Sequence, residues 1–244
     1  MSNKILFVFE GENTEKQIIV NLTKYFINEQ SSVHCAYCAD IYQLYSKIAE
    51  DQDLDTFVLL KERNQNRDVL SKFTREDFAE IYLFFDYDGH AINASDDKIR
   101  DLLKMFDQET EAGKLYISFP MVEALKHISE HKEFKNLKVK AKEKINYKKL
   151  VSDECLAKLK NLTLFTNEIW IDLIKCHLMK MNFIVNDNFI MPSIIIEQPT
   201  IFENQKAKYI DIDSTVAVLS AFPIFLLDYY GVQKMKSMVD SPID

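Results

Sequence analysis

Two short stretches place acidic side chains where a strand should end. Residues 5–12 read ILFVFEGE, so that an apolar run meets Glu10, Gly11 and Glu12, with Glu15 three positions further on. Residues 84–90 read FFDYDGH, in which a second apolar run meets Asp86 and Asp88 and is followed by Gly89 and His90. In an open α/β sheet, ligands bind beyond the carboxyl ends of the strands. If the chain stays extended through the second stretch, Asp86 and Asp88 point to the same side of it. Glu10, Asp86 and Asp88 then converge, and three carboxylates in one place repel one another unless a cation joins them. Mg²⁺ suits such a place: it takes oxygen ligands, keeps several waters, and needs only one or two carboxylates. A metal so held activates water or steadies a departing oxygen in phosphoryl transfer.

The surrounding pattern predicts the elements that must hold these acids. Residues 4–9 form an apolar strand. Thr14 and Gln17 have the spacing of a capping box, and Ile18, Ile19, Leu22, Tyr25 and Phe26 recur at helical intervals, which predicts a helix over 15–28. A second strand is expected over 33–39 and a helix over about 40–50. An insertion with helical character follows over about 51–78, in which Thr74 caps a short helix. A strand over 81–85, a helix over 96–112 capped by Ser95 and stopped by Gly113, a strand over 114–118 and a helix over 120–131 opened by Pro120 complete the series. The alternation is that of a doubly wound α/β protein with a parallel sheet. Beyond residue 132 the pattern becomes mainly helical, with helices expected near 150–160, 166–181 and 213–229 and an irregular stretch before the last. The division expected is a domain over 1–131 and a helical extension, packed on its sheet, over 132–244.

Composition limits the function classes. The chain has 244 residues and a formal charge of −8, so tight unaided binding to a polyanion requires a local basic patch, a metal or a basic partner. The one basic stretch is 132–149, where Lys135, Lys138, Lys142 and Lys149 fall on one side of a helix, either a track for a nucleic-acid backbone or a solvated face. The longest late apolar run, 216–227, is interrupted by Ser220 and Pro223 and is shorter than the roughly 20 residues of a membrane span. No signal peptide is expected, and four cysteines without repeating spacing suit a reducing cytoplasm. Cys35 and Cys38, in HCAYC, lack a second pair for zinc and read as ordinary buried cysteines. Tyr229 and Tyr230 sit in a helix whose Phe222, Phe225 and Leu226 mark it as packing rather than a nucleophile's seat.

VFEGENTE and FFDYDGH resemble the Glu-Gly and Asp-x-Asp signatures of the Toprim fold, a Rossmann-like parallel sheet flanked by helices. Together with SFPMVEALKH (residues 118–127), the pattern is most similar to the RloB-like and OLD-like Toprim nucleases of bacterial anti-phage systems. The resemblance covers about residues 4–131. It implies Mg²⁺- or Mn²⁺-dependent cleavage of phosphodiester bonds in DNA or in an RNA such as tRNA. Glu10 becomes a general acid/base or metal ligand, Asp86 and Asp88 metal ligands, and Glu12 and Glu15 a second metal position or its support. Glu123 stands where related nucleases present another acid. Lys126 offsets phosphate charge, and His90 either touches a phosphate or is a plain loop histidine. With no Gly-x-x-x-x-Gly-Lys loop, such an effector depends on a separate ATPase of the AAA or ABC type. A non-catalytic Toprim-fold scaffold for nucleic acid or a partner is the alternative. The oligomeric state stays open, a homo-oligomer included.

Overall fold

A computed structural model describes residues 3–27, 30–38, 40–50 and 55–240, with no side chain described for residues 131 and 132. The predicted stretch 51–54 and residue 39 lie outside these. The chain divides into two units, one comprising residues 1–86 and 92–116, the other residues 87–91 and 117–244. The division falls after residue 116 rather than at 131, and the five residues after Asp86 go with the later unit.

The first unit is built on β1 (Asn3–Phe9), whose residues 5–9 are wholly buried. A run apolar on both faces suits a central strand covered on both sides. β1 pairs in parallel with β2 (Ser31–Tyr37) on one side and β3 (Glu80–Asp86) on the other, with Phe9 opposite Tyr37 and Phe84. β4 (Asp107–Gln108) and β5 (Gly113–Ser118) complete a five-stranded sheet of order β2-β1-β3-β5-β4, with only β4 shown running antiparallel, to β5. Alternate residues of neighbouring strands share a face, so Phe7, Phe9, Phe84 and Tyr116 form an aromatic row. Phe84 stacks on Phe9 with centroids 5.5 Å apart and on Tyr116 at 5.6 Å.

Helices α1 (Thr14–Phe26), α2 (Ile41–Glu50), α3 (Thr56–Glu62), α4 (Arg67–Leu70) and α5 (Asp96–Met105) belong to this unit. Two expected caps come out differently. α1 starts at Thr14 after Asn13, so Thr14 lies inside the first turn and the Thr14–Gln17 box does not form. α5 ends at Met105 instead of 112, because Asp107 and Gln108 leave the helix to pair with Lys114 and Gly113. Gly113 is thus not a helix stop; it opens β5 at φ 119°. Thr74 behaves as expected, its N–H donating to the Asp77 carboxylate at 2.8 Å.

In the second unit the helix expected over 120–131 shrinks to a 3₁₀ turn, Val122–Lys126, with α6 (His131–Phe134) after it. β6 (Lys138–Lys140) pairs antiparallel with β7 (Thr215–Ala217). α7 (Tyr147–Glu154), α8 (Asn167–Asn186), α9 (Gln198–Gln205), α10 (Asp211–Asp213), α11 (Ala221–Tyr230) and α12 (Val232–Asp240) make up the rest, so the helical content expected here holds although its bounds move. Among the described residues, no helix is long and apolar enough to cross a membrane.

Candidate functional site

Glu10 and Asp86 come from segments far apart in sequence and stand at the same edge of the sheet. Glu10 directly follows β1, Asp86 is the last residue of β3, and the two strands are parallel neighbours with Phe9 opposite Phe84. Register therefore sets both acids at the carboxyl ends of adjoining central strands, where an open sheet offers a ligand crevice. Asp86 is buried, at 7% exposure, as is one oxygen of Glu10, Oε2.

The loop after Glu10 is held by its own side chain. Gly11 N–H donates to Glu15 Oε1 at 3.2 Å, and Glu15 is buried in the first turn of α1. Glu15 is thus engaged in shaping the loop, while Glu12 is exposed.

Asp88 departs from expectation. β3 stops at Asp86, and Asp88 has a left-handed backbone, φ 42°, so the chain is not extended from 86 to 88 and the argument for a shared side fails. The positive φ falls on Asp88 rather than on Gly89. Tyr87 N–H donates to Ser118 O at 3.0 Å, fixing the turn within the second unit. There Asp88 Oδ1 lies 2.8 Å from His90 Nδ1, which makes His90 the neighbour of an acid rather than a free loop histidine. Among the described residues, no three His, Cys, Asp or Glu side chains are grouped to hold a metal ion. The extended path that was to carry Asp88 to the side of Asp86 is not formed. What remains is the pair at the ends of β1 and β3.

Glu123 lies in the 3₁₀ turn of the second unit, 4% exposed, with Oε2 buried and without a hydrogen bond. Its cationic neighbour is Lys148 of α7, Nζ 3.5 Å from Oε1. Lys126, at the end of the same turn, is half-buried.

The lysine track does not exist as a single helix face. Lys135 follows α6 and sets its Nζ 4.5 Å from the Phe183 ring centroid. Lys138 is in β6, 2.5 Å from Asp213 Oδ2, Lys142 follows that strand, and Lys149 is in the first turn of α7. The cause is legible in hindsight: in 138–140, exposed lysines alternate with buried Val139, a period of two that belongs to a strand.

Cys38 is buried as expected, whereas Cys35 is only half-buried. Cys35 and Cys38 are unlinked, and burial pushes the Cys35 thiol up to about 11. The same cause raises Cys155, and lifts Cys176 to about 11, so none of these three is poised as a thiolate.

Sequence reasoning passed over a chain of three side chains in the second unit. His127 Nδ1 lies 3.0 Å from the Tyr147 hydroxyl, and its Nε2 lies 3.0 Å from Glu154 Oε2. An ionised carboxylate only accepts, so Nε2 carries the proton and Nδ1 accepts from Tyr147. Burial, opposed by Glu154, lowers the His127 pKa and keeps the ring neutral. Tyr147 and Glu154 open and close α7, seven residues apart on one face, and His127 comes from the end of the 3₁₀ turn, so the spacing on α7 and the His in SFPMVEALKH were the signals on offer.

The chain matches no protein-family model, no curated protein and no solved structure.

Proposed function

We propose that the chain is a Toprim-type, Mg²⁺-dependent nuclease that cleaves phosphodiester bonds in DNA or RNA. In this reading it acts in the bacterial cytoplasm as an anti-phage effector restrained or released by a partner ATPase. The observation that carries the reading is the pair Glu10 and Asp86, set by parallel register at the carboxyl ends of adjoining central strands.

The donor set fits the metal. Glu10 and Asp86 offer hard carboxylate oxygens from two strand ends, and Mg²⁺ requires no more than one or two, water completing its shell. Bound there, the metal would supply Lewis-acid polarisation of a phosphoryl oxygen and a more acidic water. Glu10, half-buried at the mouth of a loop, accepts a proton from the attacking water or returns one to the departing oxygen. Asp86, buried, holds its carboxylate in one place. Glu15 keeps the Glu10 loop in shape through the Gly11 N–H.

The test is cleavage of plasmid, single-stranded DNA and total tRNA in Mg²⁺ or Mn²⁺, with and without the cognate ATPase and its trigger. Glu10→Ala and Asp86→Ala proteins are run beside the wild type. Cleavage lost in both variants supports the reading. Cleavage that survives in either, or silence of the triggered complex, removes it and leaves a scaffold.

A further inference from the structure

Tyr37 ends β2, the strand that flanks β1 on the side away from β3. Register places it opposite Phe9, and Phe9 opposite Phe84, so the three side chains lie on one face of the sheet. β3 runs on to Asp86, two residues past Phe84, and Asp86 therefore shares that face. Tyr37 and Asp86 thus stand on the same face, on either side of the strand that ends at Glu10. Two strand spacings, about 10 Å, separate β2 from β3. A gap of that size admits a phosphate group, met from one edge by a phenol and from the other by a carboxylate or its metal.

The backbone of Tyr37 is clamped while its hydroxyl is unused. Asn66, wholly buried, accepts from the Tyr37 N–H at 2.8 Å, donates to the Tyr37 carbonyl at 2.9 Å, and donates to Leu60 O at 2.8 Å. On the inner side, the Cys38 N–H donates to Phe9 O at 2.7 Å. The ring is half-buried, and among the described residues its hydroxyl makes no hydrogen bond. A side chain on a fixed backbone with a donor to spare suits a substrate contact. Burial, and after it the nearby Cys35, Glu12 and Glu15, hold the phenol pKa above its usual 10, so the oxygen keeps its proton. Where carboxylates crowd together, a phosphodiester anion needs donors besides the metal, and Tyr37 supplies one.

We propose that the Tyr37 hydroxyl donates a hydrogen bond to a non-bridging oxygen of the phosphodiester that Glu10 and Asp86 engage. The assignment rests on the reading of those two acids as a nuclease site. It makes Tyr37 a substrate-binding residue, not the group that returns a proton to the departing oxygen.

Tyr37→Phe removes the hydroxyl and keeps the ring. Affinity for single-stranded DNA and for total tRNA is measured in Ca²⁺, which takes oxygen ligands as Mg²⁺ does. The full chain is used, alone and with the cognate ATPase and its trigger. Tyr37→Phe is expected to bind about ten-fold more weakly than the wild type, the worth of a hydrogen bond to a charged group. Its melting temperature is expected to match the wild type, because the hydroxyl has no partner among the described residues to lose. With a phosphorothioate backbone, whose sulfur accepts hydrogen bonds poorly, the difference between the two proteins is expected to shrink. Equal affinities, no binding by the wild type, a difference of the same size on both backbones, or a loss that comes with a lowered melting temperature overturns the assignment. Each of these leaves Glu10 and Asp86 standing, since cleavage by the wild type that Glu10→Ala and Asp86→Ala abolish scores them separately. A wild type that also fails to cleave removes the nuclease reading as well.

Discussion

The Glu15 carboxylate occupies the space that a side chain on residue 11 would need: a Cβ built on Gly11 falls 2.8 Å from Glu15 Oε1. The same oxygen accepts the Gly11 N–H, so the glycine and the glutamate are one device for bending the chain after Glu10. Gly11→Ala displaces the carboxylate and is expected to cost about 1 kcal/mol, the scale of one partly buried hydrogen bond. In a Glu15→Ala background the obstruction is gone and the same change is expected to be nearly neutral. Urea denaturation of the four proteins closes the cycle; additive costs would show that the two residues do not act together.

That device also shows how far the sequence can be read. Gly11 and Glu15 were visible as residue types, and so was the strand before them, because five buried apolar residues in a row have few other uses. The partnership of the glycine with a side chain four positions on was not visible, since only the start of α1 at Thr14 decides where Glu15 points. The pair Glu10 and Asp86 was legible for the same reason as β1 and β3: each acid directly ends an apolar run. Asp88 was misplaced because one left-handed residue undoes the alternation on which the reading depended. The lysine helix failed through a wrong period. Tyr147 and Glu154 share one face of α7 at a spacing of seven, but only tertiary structure brings His127 between them.

His177 yields a prediction about acid stability. Its Nε2–H donates to Leu125 O at 3.1 Å and its Nδ1 accepts from Ser220 N–H at 3.1 Å, so a proton on Nδ1 breaks a buried bond. Complete burial pushes its pKa from the usual 6.5 down to about 3, and the Lys180 ammonium adds to the effect. The unfolded chain thus binds the proton more readily, so the stability this residue contributes is present above about pH 6.5 and falls as pH drops toward 3. Between pH 6.5 and 5 the wild type is expected to lose about 2 kcal/mol more than His177→Asn, at about 1.4 kcal/mol per pH unit. Equal losses in chemical denaturation would show that the imidazole does not titrate on unfolding.

Gly113 tests the strand that replaced the end of the expected helix. At φ 119° an alanine is strained, and its Cβ falls 2.5 Å from Leu83 Cδ1 and 3.1 Å from Ile81 Cγ2 on β3. Strain and crowding together set an expected cost of about 3 kcal/mol for Gly113→Ala. Adding Leu83→Ala removes the closest contact but leaves the backbone, so the Gly113→Ala cost in that background is expected to fall to about 1–2 kcal/mol rather than to zero. Thermal melts of the set distinguish the two contributions.

The strand-end pair makes the sharpest claim about chemistry. If Glu10 and Asp86 serve one bond-breaking event, each depends on the other for its effect, and their losses cannot add. Glu10→Gln and Asp86→Asn keep size and hydrogen-bonding shape while removing charge, so the fold is expected to survive both. Each is expected to lower cleavage by about 10³-fold, in the range seen when one group of a cooperating set is removed. The double variant is expected to be little worse than either single one. Losses that multiply would mean two independent sites, and the edge of β1 and β3 would then hold no shared reaction. Titration with Mn²⁺ gives an independent reading of the same pair: one fewer ion bound in each single variant, and no further loss in the double, is the pattern of a common ligand set.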